Sequence, residues 1–283
     1  MSSGLPPTST LLPALEARNR IALDRRDAFR RETFDTARDL IAAVDQLKHS
    51  HPYMGNVVCP VGDHEYHMFS VNDDVVAWLF FWTGAYEKAL MDLWDRLTKD
   101  VGQHGGVALD IGAYSGLYAM VAARNGCTTH AFELMLRTAE RAKINFRLNG
   151  LADRITLHPY GLSDRDGTVQ VHMPRVSDFL GTGNSIDEKP NVNTVETVVS
   201  TVRAVKTVME AARIGRIEAV KIDVEGHELE LLTALRPWLE RDRPEMIVEI
   251  SRQQDACHAL LADMGYAVRQ LRGENYHAEP GQK

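Results

Sequence analysis

Cysteine is scarce and scattered in this 283-residue chain: there are three, Cys59, Cys127 and Cys257, all far apart. That spacing excludes a disulfide framework and any CxxC redox or zinc site, and it suits a reducing cytoplasm. No apolar run approaches the roughly 20 residues of a membrane span, and the opening "MSSGLPPTSTLLPALEARN" has neither the basic leader nor the apolar core of a signal peptide. The reading is a soluble, cytoplasmic protein with no membrane partner. Basic excess is missing as well. A formal net charge of -7, from 32 Lys plus Arg against 39 Asp plus Glu, argues against a nucleic-acid partner, because such binders carry dense positive faces that replace phosphate counterions. Repeats and low-complexity tracts are also absent. What remains is a globular composition, 44% hydrophobic and 25% charged, large enough for one big core or two small ones.

From Pro13 to about His49, Phe34, Ala37, Leu40, Ile41, Val44 and Leu47 recur at helical spacing. This predicts a helix with one apolar face, either packed on its own domain or serving as a lid or dimerising element. Residues 56–71 predict a hairpin turning at Gly62-Asp63; its His64 and His67 would point to opposite faces of a strand, which does not make a metal site. An aromatic stretch then runs into an amphipathic helix beginning near Ala85. From Gly106 onward short apolar runs alternate with helical segments. Strands are predicted at 107–112, 128–133, 155–159, 219–224, 246–250 and 266–271, and helices near 116–125, 136–148, 205–213, 227–236 and 253–264. Such alternation predicts an α/β fold, a doubly wound and mostly parallel sheet over 101–283, after a helical and hairpin extension over 1–100. Between the third and fourth strands lies a long loop, about 174–195, rich in Gly, Asn, Asp and Ser.

Two strand ends carry chemistry. "VALDIGAYSG" closes an apolar run with Asp110 and opens a helix through Gly112, Ala113 and Gly116. Glycines there admit a ligand to the backbone, and the helix N-terminus offers unpaired N–H groups. A dinucleotide site would want G-x-G-x-x-G, but Tyr114 stands where the middle glycine belongs, which weakens an NAD(P)-linked oxidoreductase. S-adenosylmethionine, with a zwitterionic methionine end and a ribose, asks for carboxylates instead. Glu133 ends the next strand, where an acid commonly takes ribose hydroxyls. A non-catalytic cofactor-binding protein is the third reading, disfavoured by the acids at 110, 133 and 223.

Asp110-Ile-Gly-Ala-Tyr-Ser-Gly116, Phe132-Glu133, Gly161-Leu-Ser-Asp164 and above all Lys221-Ile-Asp-Val-Glu-Gly-His-Glu228 resemble the FkbM family of class I S-adenosylmethionine-dependent methyltransferases, over roughly residues 80–270. The resemblance implies a seven-stranded Rossmann-like sheet and O-methylation of a small molecule, natural product or sugar, with another acceptor atom, nitrogen or carboxylate oxygen, as the variant. It implies that Asp110, Gly112, Ala113 and Gly116 line the methionine side, that Glu133 holds the ribose, and that Leu162 and Ser163 meet the adenine. Glu87, with Thr83 just before it, matches a Gly-x-Tyr-Glu segment that would close over the methionine end. Ala204-Val205-Lys206 departs from the family's Thr-Leu-Asp, and residues 1–50 fall outside the likeness.

Methyl transfer to a hydroxyl requires an acceptor oxygen held in line and a destination for its proton. Three arrangements are open: His227 as general base, Asp223 orienting the hydroxyl or accepting the proton, or Mg²⁺ bound by Asp223 and Glu249 on adjacent strand ends. Glu228 and Glu230 are read as complementing the dipole of the helix they open.

Overall fold

The computed structural model of the chain describes residues 8–174 and 194–281; the loop expected over 174–195 falls, for 175–193, outside the described residues. The chain opens with α1 (Thr8–Phe29) and α2 (Ala37–Ser50), followed by a hairpin of β1 (Gly55–Val61) and β2 (His64–Ser70), then α3 (Val75–Thr83) and α4 (Lys88–Gly102). Alternation follows: β3 (Val107–Ile111), α5 (Leu117–Arg124), β4 (Thr128–Phe132), α6 (Leu136–Leu148), β5 (Ile155–His158), β6 (Gly161–Ser163), β7 (Gly167–Pro174) and β8 (Thr194–Ala204). The chain closes with α7 (Val205–Ala211), β9 (Ile217–Ile222), α8 (Glu228–Asp242), β10 (Glu245–Glu249), α9 (Gln254–Asp263), β11 (Tyr266–Arg272) and β12 (Asn275–Pro280).

The main sheet has seven strands in the order β11-β12-β10-β9-β3-β4-β5. The order reverses between β3 and β9, so a crevice opens at the carboxyl ends of those strands, where open α/β sheets bind ligands. β3 is buried along its whole length, as a central parallel strand covered on both faces must be. β12 pairs antiparallel with both neighbours and supplies the seventh strand, which the alternation pattern missed. A separate three-stranded sheet, β6-β8-β7, carries the long excursion between β5 and β9.

One expectation is corrected. The single helical pattern from Pro13 to His49 is two helices, broken between Phe29 and Ala37. The break is tertiary in origin. The Arg30 guanidinium donates to the carbonyls of Phe80 and Phe81 at 2.6 and 2.9 Å, capping the end of α3, and the Thr36 hydroxyl accepts from the amide of Asp39 to start α2 afresh.

The N-terminal segments share one apolar core with a face of the main sheet, running from Phe29, Trp82 and Trp94 to Ala108 and Ile247. A polar stripe on α6 fixes the hairpin to it. Arg141, Asn145 and Asn149 recur every fourth residue and so share a helix face. The Asn149 side chain accepts from the His67 amide (2.9 Å) and donates to its carbonyl (2.7 Å). Asn145 accepts from the Phe69 amide (2.9 Å) and donates to the Ser115 carbonyl (2.9 Å), while Arg141 grips Asp73 with two nitrogens. Side-chain amides thus do for β2 what a neighbouring strand would do.

Candidate active site

A cavity of about 300 Å³ lies at the carboxyl ends of β3, β4, β9 and β10. Its walls include Asp110, Gly112 and Ala113 after β3, Glu133 and Met135 after β4, Leu162 from β6, and Asp223, Val224, Glu225 and His227 after β9. Glu249 closes one side, and Val75, Val76, Tyr86 and Glu87 from the N-terminal segments roof it. The structure therefore gathers nearly all the residues picked out in the sequence. Thr83, whose hydroxyl meets the Leu79 and Ala85 carbonyls, lies outside the lining, as do Gly116 and Ser163 for different reasons.

Gly116 is a packing glycine. Its φ is +91°, and a Cβ there would sit 2.4 Å from the Phe146 ring of α6, so its smallness serves the approach of α6. At Gly112, with φ +86°, a Cβ would fall 1.7 Å from the Asp223 carbonyl oxygen, so the turns after β3 and β9 touch backbone to backbone. Ser163 is buried behind the wall and works on His227. Its Oγ lies 3.0 Å from His227 Nε2 and donates to Asp164 Oδ1 at 2.9 Å. The Ser163 hydrogen bond, ahead of the Arg165 charge, holds the Asp164 carboxyl below its ordinary value, so this acid is ionised and can only accept. The Ser163 proton is therefore spent on Asp164, and His227 Nε2 is assigned as the donor to Ser163 Oγ. Nδ1, 3.7 Å from Glu230 Oε2, is the ring nitrogen left to take a proton.

Glu133 is anchored by three donors. Oε1 accepts from the Met135 amide (2.9 Å) and the Thr138 hydroxyl (2.7 Å), and Oε2 accepts from the Tyr114 amide at 2.7 Å. Each carboxylate oxygen has two acceptor positions, so Oε2 keeps one for a ligand hydroxyl. Asp110 Oδ2 accepts from the Ala119 amide in the first turn of α5 (2.8 Å), and burial pushes its carboxyl up to about 7, an effect that the charge of Lys221 offsets only in part. Glu87 accepts from the Tyr118 hydroxyl at 2.8 Å, and burial raises its carboxyl too.

Asp223 and Glu249 do come side by side, since β9 and β10 pair in parallel up to Ile222 and Val248. The expected Mg²⁺ site does not follow. The cation serving these acids is the Lys221 ammonium, 3.2 Å from Asp223 Oδ2. Among the described residues, the one grouping of three His or carboxylate ligand atoms is Glu245, His277 and Glu279, which begins at the opposite end of β10. Burial and the Asp223 charge raise the Glu249 carboxyl. Lys221 is the functional residue that sequence reasoning passed over. Only 1% exposed, it lies in the cavity wall 5.2 Å from the Tyr118 ring centroid. Burial works against its charge, but Asp223, Glu87 and Glu249 outweigh burial and hold the ammonium above its ordinary value. Glu228 is fully buried and accepts from the Gly226 amide at 2.6 Å, shaping the turn as expected.

Residues 100–271 match the model of the methyltransferase FkbM domain. Among solved structures, the chain is similar to a methyltransferase FkbM from Methylobacillus flagellatus KT at 15% identity, covering 84% of this chain and 58% of that one with a TM-score of 0.44. This chain thus spans less than two thirds of that relative. It is also similar to an S-adenosylmethionine-dependent methyltransferase from Agrobacterium tumefaciens, at 13% identity over 81% of this chain and 71% of that one, TM-score 0.47. No curated protein matches the chain. Among the described residues, no helix is long and apolar enough to cross a membrane.

Proposed function

The chain belongs to the FkbM methyltransferase family, and from that premise we propose that it is an S-adenosylmethionine-dependent methyltransferase acting on a hydroxyl of a small polar molecule or glycan. The observation that carries this reading is the acid-lined cavity at the switch between β3 and β9, with Glu133 anchored by three donors yet holding one acceptor position open. Its set of acceptors and apolar walls fits the cofactor. Glu133 would take a ribose hydroxyl, and Leu162, Phe132 and Met135 supply apolar surface for a flat ring. Asp110, Gly112 and Ala113 would flank the methionine end, under the roof of Val76 and Glu87.

When bound, S-adenosylmethionine supplies an electrophilic methyl group on a positively charged sulfur. The chain's part is then to hold an acceptor oxygen in line and remove its proton. Asp223, fixed by Lys221, orients the hydroxyl, and His227 receives the proton on Nδ1, its tautomer set by the bond from Nε2 to Ser163. The test is calorimetric titration with S-adenosylmethionine and S-adenosylhomocysteine in EDTA, followed by transfer of labelled methyl across a panel of polyols, sugars, phenols, amines and carboxylic acids. Micromolar binding and label on oxygen support the reading. Absence of binding, or label appearing only on nitrogen or carboxylate acceptors, would overturn it.

A further inference from the structure

Six carboxylates line the cavity: Glu87, Asp110, Glu133, Asp223, Glu225 and Glu249. Among the described residues that line it, the one lysine or arginine against them is Lys221. Lys221 is buried at the end of β9, its Nζ 3.2 Å from Asp223 Oδ2, 3.4 Å from the Ile222 carbonyl and 5.2 Å from the Tyr118 ring centroid. Its register partner on β3 is Asp110, and the Tyr118 hydroxyl leads on to Glu87. A buried lysine is costly and needs a reason. Pairing Asp223 alone is a weak one, since a neutral side chain beside a protonated or water-facing acid would avoid the cost.

We propose that Lys221 is the built-in counter-ion that limits how strongly the cavity prefers the cationic methyl donor over the neutral product. The inference rests on the cofactor reading above. S-adenosylmethionine carries a net charge of +1 through its sulfonium, and S-adenosylhomocysteine carries none. On transfer, a bond forms from the acceptor oxygen to the methyl carbon, the acceptor proton passes to the base, and the electron pair of the broken carbon–sulfur bond neutralises the sulfur. A cavity of six acids alone would hold the sulfonium tightly in the ground state and less tightly as its charge disperses, which raises the barrier. One fixed ammonium restrains that ground-state grip. Lys221 thereby separates binding the donor from trapping it.

The test compares the dissociation constants of S-adenosylmethionine and S-adenosylhomocysteine by calorimetry in wild type, Lys221→Met and Lys221→Arg, with sinefungin, a stable cationic analogue, as a second positive probe. In Lys221→Met the preference for the cationic ligands over the neutral one should rise roughly tenfold or more, the scale of one unit charge acting over several ångströms in protein of intermediate dielectric. Lys221→Arg should restore the wild-type ratio. Should Lys221→Met fail to fold, Asp223→Asn carries the test: it takes away one of the acids that face the lysine and should move the ratio the opposite way. An unmoved ratio in a folded variant overturns the inference alone. Wild-type protein that binds none of the three ligands overturns the cofactor reading and the inference with it.

Discussion

His227 Nε2 lies 3.0 Å from Ser163 Oγ, a hydrogen bond that joins the turn after β9 to the small sheet 64 residues earlier. It fixes which imidazole nitrogen can act as a base. Replacing His227 with Ala should leave cofactor affinity intact and lower turnover by roughly 10² to 10⁴. Ser163→Ala should give a smaller loss, visible in turnover rather than in cofactor binding. A fully active His227→Ala enzyme would reduce the histidine to a helix-capping residue.

In the proposed reading Glu133 is the pivot of cofactor binding. Glu133→Ala would take the acceptor from the Tyr114 and Met135 amides, at about 1–3 kcal/mol for each amide stranded, while the Thr138 hydroxyl keeps the Met135 carbonyl at 2.8 Å. Calorimetry should show S-adenosylmethionine binding lost, and thermal melting should show a lower midpoint. Retained affinity would mean that the ribose is held elsewhere.

Burial holds the Asp110 carboxyl near 7 in the folded chain, against an ordinary value of 3.8. Such a group binds its proton more tightly folded than unfolded. The stability it contributes is complete below about pH 4 and is lost as pH rises through about 7. The unliganded protein should therefore melt at progressively lower temperature across that window. Asp110→Asn should flatten this part of the profile, as melting curves at closely spaced pH values would reveal. A profile with the same slope in wild type and variant would refute the assignment.

Gly112 and Gly116 should both resist alanine. Gly112→Ala drives a methyl into the Asp223 carbonyl at 1.7 Å, a backbone neighbour that cannot step aside, and the expected outcome is insoluble protein. Gly116→Ala meets a ring edge at 2.4 Å in a left-handed conformation and should fold with a loss of about 1–3 kcal/mol, measurable by denaturant titration.

The parallel core was legible because strands buried on both faces read as apolar runs, and β3 and β10 carry them. β12 escaped because "NYHAEP" is polar and follows a turn at Gly273, so nothing in its own residues announces a strand between β10 and β11. The helix break after Phe29 escaped for a different reason: "RRETFD" contains neither Gly nor Pro, and the carbonyls that hold Arg30 lie 50 residues away. In the site, acids at strand ends were readable from spacing alone. Lys221 was not, because a lysine beside an aspartate looks like surface charge until the fold buries it. Gly116 carried a signal for a tight place, and the Phe146 ring of α6 is what a side chain there would meet.

The Asn145 side chain bridges the Ser115 carbonyl in the glycine-rich turn and the Phe69 amide in the hairpin. Domain dissection is where this matters most. Trimming the first hundred residues, as the extent of the family match invites, would take from Arg141, Asn145 and Asn149 their partners at Asp73, Phe69 and His67 and strip Val75, Val76 and Glu87 from above the cavity. The matched segment is then no portable module, and expression work should begin from the uncut chain.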